Sequence, residues 1–402
     1  MSITDTDLTA AGKRRRLILL LDGTSNEVEQ DLSNVLKLYR MLGRGEDQAV
    51  YYHPGVGTMR LARSWGHFSQ ALDTYWGLAT GWRLDDNILR AYQFLCERYR
   101  DGDEIMIFGF SRGAYTARAV AGLVHVLGLL NEEQLDLAPH ALTAYKRAGS
   151  QSDLNIAWRF RKVIGGRRVT IRFLGLWDSV ASVIVPRRDR FYLPSLEFLP
   201  YTKVNPSVEI VRHACAIDEK RRMFRLLPWE RNQDIKPDPF GPVIGKQDSE
   251  TVWFAGDHSD VGGGYPEAQS QAAKFPLLWI TREAEAAGAR FRQSMVEHLA
   301  LGTPLPGGDH AYVEPDESAP LHNSMRGLWH ILEWIPKNGR WRQWPKTAPR
   351  RGFYLPRSEL RPIPDGATIH RSVIERMEKT GYRPVNLPER FAVTDTRTPP
   401  TP

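Results

Sequence analysis

Gly109-Phe110-Ser111-Arg112-Gly113 carries the spacing G-x-S-x-G. An apolar run precedes it and a helical pattern follows, which is the setting of a nucleophile elbow. A sharp turn from strand to helix crowds the backbone around the serine. Glycines two residues to either side remove the Cβ atoms that would clash there. The turn lifts the Ser111 hydroxyl above the sheet, over a helix N-terminus whose partial positive charge favours an oxyanion. An ordinary glycine turn is the plainer alternative.

A nucleophilic serine needs a base and a carboxylate that orients the base, in the chain order Ser, Asp or Glu, His. Asp178 ends an apolar stretch in Gly175-Leu176-Trp177-Asp178-Ser179-Val180. A carboxylate at the C-terminal end of a parallel strand lies on the ligand-binding edge of a sheet. A helix N-cap or turn role is the alternative for it. His258 follows another apolar stretch, in a loop of Asp, Ser and three glycines that runs to Tyr265. There are 11 histidines, and His53, His310, His322, His330 and His370 compete with His258 as the base. His125 falls within a helical pattern and suits packing. Asp257-His258-Ser259-Asp260 could hold a metal, but no further His or Cys set joins it. No metal or organic cofactor is expected.

Asp22-Gly23-Thr24 follows the first apolar run. It resembles the D-x-D-G-T pattern of aspartyl-nucleophile phosphatases, but Leu20 stands at the nucleophile position and cannot attack phosphorus. The loop is instead expected beside the elbow, where amides of Gly23 or Thr24 would complete an oxyanion hole with the Arg112 amide. A structural Asx turn is the alternative. The Arg112 side chain suits a substrate phosphate or carboxylate, or else an internal salt bridge.

Strands alternating with helices must position these groups. The spacing predicts strands over 17–21, 49–53, 104–110, 169–177 and 251–257. It predicts helices over 84–100, 112–130 and 275–287, the last ended by Gly288. That alternation argues for an α/β fold, a mostly parallel sheet with helices on both faces. Residues 12–310 read as the catalytic core, with an irregular, lid-like insertion at about 179–250. Residues 311–393 read as a Trp-rich C-terminal extension packed on the core, and 394–402 as a disordered tail. In the extension Trp329, Trp334, Trp341 and Trp344 alternate with Arg and Lys, as in a membrane-interface element or a packed cover.

The chain has 402 residues, 42% of them apolar and 25% charged, which excludes disordered and fibrous classes. Its two cysteines exclude a disulfide framework. The basic run at Lys13–Arg16 precedes only five apolar residues, too few for a signal peptide or a membrane span. A soluble, cytoplasmic protein is expected, and export would need a route without a cleaved signal. The net charge of +7 is spread over scattered patches. It does not indicate nucleic acid, and it is compatible with transient contact at an anionic membrane surface. Oligomeric state is not legible.

Several longer segments carry a family resemblance. They are Leu21-Asp22-Gly23-Thr24, Tyr52 to Thr58, Gly109 to Arg118 (GFSRGAYTAR), Leu176 to Val180, His213 to Glu219 and Trp253 to Tyr265. In this order the chain resembles proteins with the domain of unknown function 2235, α/β-hydrolases similar to type VI secretion phospholipase effectors of the Tle1 type. The resemblance implies an α/β-hydrolase core, a Ser111–Asp178–His258 triad and hydrolysis of acyl esters, foremost of phospholipids. The chain departs from the effectors in being compact, which leaves a toxin role open. A soluble ester or amide substrate, and a non-catalytic binding protein on the same scaffold, are the alternatives.

Overall fold

A computed structural model describes residues 14–23, 31–55, 82–150, 155–180, 184–186, 194–196 and 199–396, apart from 223, 239–240, 309, 326–327, 335 and 339–351. The strands are β1 (Arg16–Leu21), β2 (Gln48–His53), β3 (Glu104–Phe110), β4 (Ile171–Trp177), β5 (Ile184–Pro186), β6 (Pro194–Leu196), β7 (Val208–Ala216), β8 (Asp234–Ile235), β9 (Gly245–Lys246), β10 (Asp248–Phe254), β11 (Lys337–Asn338), β12 (Phe353–Tyr354), β13 (Ala367–His370) and β14 (Phe391–Thr394). Eight of them form one sheet in the order β14-β13-β10-β7-β4-β3-β1-β2, with every pairing parallel. The others form three small antiparallel pairs, β5–β6, β8–β9 and β11–β12.

The two-residue period of a strand divides the apolar side chains between two cores. Leu17, Leu19 and Leu21 of β1 pack with Ile88, Tyr92, Val120 and Leu123 from helices Trp82–Arg98 and Arg112–Leu127. Ile18 and Leu20 face the other way. They pack with Val35, Leu38, Leu277 and Leu299 from helices Asn34–Met41, Gln271–Ala286 and Gln293–Leu301. Burial on both faces explains why these strands read as unbroken apolar runs. Helix Arg112–Leu127 stops at Gly128, whose φ of 78° lies in the left-handed region open to glycine.

Two expectations of organisation change. The stretch 179–250 is not wholly an irregular insertion, because β7 within it is a nine-residue strand between β4 and β10. Arg212 of β7 is buried against Glu283 at 2.6 Å and Asp248 at 2.7 Å, so paired charge replaces apolar side chains there. The extension 311–393 is more than a cover, since β13 and β14 continue the sheet and share a small core of Cys215, Trp253, Ile369 and Val373. Thr394, expected to open the tail, closes β14, and 397–402 lie outside the described residues. Among the described residues no helix is long and apolar enough to cross a membrane.

Candidate active site

β3 ends at Phe110 and the next helix starts at Arg112, so Ser111 alone makes the turn. Its φ of 58° and ψ of −121° are unusual for a residue with a side chain. The flanking glycines are forced by space. A Cβ on Gly109 would sit 2.5 Å from the Gly113 carbonyl oxygen, and one on Gly113 would sit 2.1 Å from that of Leu21.

Ser111 Oγ lies 2.8 Å from His258 Nε2, and His258 Nδ1 lies 2.5 Å from Asp178 Oδ2. Asp178 stands just past β4 at a φ of 38°, with its amide donating to the Ala214 carbonyl. His258 opens a short helix, His258–Gly262, rather than lying in a loop. Asp257 caps that helix by accepting the amides of Ser259 and Asp260, and Tyr265 donates its hydroxyl to the same carboxylate. The imidazole sits between the Phe110 ring, 4.6 Å away, and the edge-on Phe224 ring at 4.8 Å. Trp329 meets Phe224 at 5.6 Å, while Trp341 and Trp344 of the same stretch lie outside the described residues.

Electrostatics set the protonation states. Burial pushes the Asp178 carboxyl up, but the Arg361 charge and the His258 hydrogen bond outweigh it and hold it below the usual carboxylate range. Arg361 Nη1 donates to Asp178 Oδ1 at 2.6 Å and Nη2 to Oδ2 at 3.0 Å. Burial lowers the His258 pKa, and the Asp178 hydrogen bond and charge offset that in part. The imidazole is therefore neutral at neutral pH, as a base must be. The His258 backbone N–H donates to Glu219, whose carboxylate is forked by Arg221.

The rival histidines are occupied elsewhere. His370 caps helix Arg371–Thr380 through Ser372, and burial lowers its pKa to about 4. His322 lies 2.7 Å from Asp260 and stacks on Tyr265. His125 meets Ser207 at 2.7 Å, and His53 accepts the Gly55 amide. His310 and His330 are exposed. Asp260, from the cluster weighed as a metal site, is thus held by His322 and by the cap of the His258 helix.

Gly23 packs against the elbow, for a Cβ placed on it would meet the Ser111 Cβ at 3.3 Å. Its amide, however, donates to Asp22 Oδ1 at 2.7 Å. Asp22 also accepts from Ser33 and Tyr52, so it braces the loop and engages the N–H expected for the oxyanion. Thr24 lies outside the described residues. Arg112 heads its helix, so its N–H has no intrahelical acceptor. Among the described residues no carboxylate pairs with the Arg112 guanidinium, and burial lowers its pKa to about 10. Arg118 is spent internally, on the Thr202 and Pro228 carbonyls.

Arg361 and Glu219 escaped the sequence reading as site residues. Glu219 ends the segment His213 to Glu219 that carries the family resemblance, whereas nothing in Ser358-Glu359-Leu360-Arg361-Pro362 marks a partner for Asp178.

A parallel eight-stranded sheet with helices on both faces, and a sharp strand-to-helix turn at Ser111 at the end of a central strand, define an α/β-hydrolase-like protein. More narrowly, the chain belongs to the family described as the T6SS phospholipase effector Tle1-like catalytic domain, which matches residues 15–283. That family is one of lipase- or phospholipase-type hydrolases. An uncharacterised protein of Saccharomyces cerevisiae, YEL023C, is 34% identical, over 96% of this chain and 82% of that one. Among solved structures, an uncharacterised protein from Pseudomonas aeruginosa is 20% identical, with a TM-score of 0.38 over 70% of this chain and 47% of that chain. The Tle1 effector bound to the VgrG spike of the type 6 secretion system is 21% identical, with a TM-score of 0.33 over 65% and 53%. The chain thus spans about half the length of each of these two solved proteins.

Proposed function

We propose that the chain is a serine hydrolase that cleaves acyl esters, with phospholipids as its substrate class. The observation that carries this reading is the continuous hydrogen-bonded chain from Ser111 Oγ through His258 to Asp178, at 2.8 and 2.5 Å. Ser111 Oγ attacks the ester carbonyl while His258 Nε2 takes its proton. The tetrahedral intermediate collapses as His258 returns that proton to the leaving alcohol. Water, deprotonated by His258, then releases the acyl group and restores Ser111. Asp178 keeps the Nδ1 proton in place and steadies the imidazolium. The Arg112 amide and the helix N-terminus favour the oxyanion.

The phospholipid assignment draws on family membership and on the partly buried Arg112 guanidinium beside the nucleophile, which has no carboxylate partner among the described residues. A desolvated cation gains most from an anionic ligand such as a phosphodiester. The test is labelling with a fluorophosphonate, followed by hydrolysis of p-nitrophenyl esters and of phosphatidylglycerol vesicles. Wild type is expected to label at Ser111 and hydrolyse both, and Ser111→Ala to do neither. Full hydrolysis by Ser111→Ala would refute the nucleophile. Hydrolysis of soluble esters alone would refute the phospholipid assignment.

A further inference from the structure

The forked pair between Arg361 and Asp178 joins the site to a segment beyond the family's matched region, residues 15–283. Both groups are buried, Asp178 at 0% and Arg361 at 5% exposure. The same guanidinium donates to the Phe224 carbonyl at 2.6 Å and the Ala216 carbonyl at 3.2 Å. Ala216 returns the contact, its amide donating to Asp178 Oδ1 at 3.0 Å. Arg361 is itself anchored, because the buried Asn386 side chain bridges the Arg361 and Ile217 carbonyls at 3.0 Å each. One cation thus meets the carboxylate, the end of β7 and the backbone of Phe224, whose ring closes over His258.

Other groups around Asp178 do not supply this charge. On β7, His213 is kept neutral by burial and by Arg118, and burial keeps the Cys215 thiol protonated. Beyond β7, Glu219 and Arg221 neutralise each other at 2.7 Å. Asp257, preceding His258, carries a carboxyl whose pKa burial and the charges of Asp260 and Glu219 raise. Among the described residues it is Arg361 that compensates the Asp178 charge.

We propose that Arg361 is a positioning residue for the Asp178–His258 pair, holding Asp178 ionised and oriented, so that the C-terminal segment is a working part of the active site. This rests on the reading of Ser111 as nucleophile. Removing the cation raises the pKa of a buried carboxylate and leaves more of its charge to attract a proton on His258. Either effect demands a higher pH before His258 is neutral and Asp178 charged. The acid limb of the activity profile therefore moves up.

The experiment follows the rate of fluorophosphonate labelling at Ser111 against pH in the full chain, which needs no knowledge of the substrate. Arg361→Met and Arg361→Gln are expected to move the acid limb up by about 1–3 pH units, the size of an Arg–carboxylate effect. A role limited to holding the segment in place would lower the rate and leave the limb where it is, and an unmoved limb in a folded neutral variant overturns the proposal. If neither neutral variant folds, Arg361→Lys decides. A single ammonium cannot fork the carboxylate, so its limb is expected to rise, though less than in the neutral variants, and a limb at the wild-type pH overturns the proposal. Absence of label at Ser111 in wild type would sink the serine-hydrolase reading and this proposal with it. Label in wild type with an unmoved limb in the variants sinks this proposal alone.

Discussion

Ser111 stores backbone strain, and substitutions there can measure it. Its φ of 58° with ψ of −121° is open to glycine and costly for any residue with a Cβ. Alanine and glycine both remove the hydroxyl and its bond to His258, so those losses cancel when the two variants are compared. What remains is about 1–3 kcal/mol of strain that only glycine relieves. Against this stands about 0.5–1 kcal/mol for the greater freedom of glycine in the unfolded chain. Ser111→Gly should therefore be more stable than Ser111→Ala by about 1 kcal/mol, reversing the usual order at ordinary sites. Thermal melting resolves this poorly. At about 2.1 cal/mol/K per residue, a 402-residue chain that unfolds as a unit shifts by only about 1 °C per kcal/mol. Urea titration of the two variants side by side is the better assay, read as a change in midpoint at constant slope. Neither variant should hydrolyse an ester. Ser111→Gly unfolding at lower urea than Ser111→Ala would refute the strain argument.

The lowered His258 pKa places the acid limb of kcat/KM below the ordinary histidine value of about 6.5, since the neutral imidazole is the active form. A pH profile on a soluble ester with its acid midpoint at 7 or above would contradict this. Arg112→Met is expected to lower kcat/KM on phosphatidylglycerol vesicles by about 10- to 100-fold, the worth of one charge-assisted contact, and to act far less on a neutral p-nitrophenyl ester. Equal losses on the two substrates would remove the phosphate role. Burial pushes the Cys96 thiol up to about 11 and the Cys215 thiol well above its usual value. An aromatic disulfide reagent at pH 8 should find no reactive thiol in the native chain and two in urea, and rapid native reaction at either would contradict that burial.

Local rules made the strand-to-helix turn at Ser111 legible. The continuous apolar runs of β1 and β3, and glycines on both sides of Ser111, follow from sterics within a few residues. Asp178 and His258 were legible as types that end strands, in the required order. Their mutual distances came from the fold, because pairing β4 beside β7 and β7 beside β10 is what brings the two ends together. β7 escaped because Glu209, Arg212 and His213 interrupt its apolar pattern, and the partners that let Arg212 be buried lie 36 and 71 residues away. β13 and β14 have four residues each, too few for a period to emerge. Arg361 meets Asp178 across 183 residues, and no local rule speaks over that span.

The arrangement of charge bears on why the site favours reaction over resting protonation. Asp178 with Arg361 and Glu219 with Arg221 are two neutral pairs beside a neutral His258. Adding a proton to the resting imidazole adds an unbalanced positive charge to a buried group, which burial disfavours. Proton transfer from Ser111 creates that same charge together with a negative oxyanion a few ångströms away, so the sum stays zero. On the proposed mechanism, the site opposes an isolated imidazolium and accepts one made with its counterion. Arg361 is then no competitor of His258 for Asp178. It offsets the Asp178 charge, and a variant that removes it should hold a second proton on the Asp178–His258 pair at a pH where wild type holds only the Nδ1 proton.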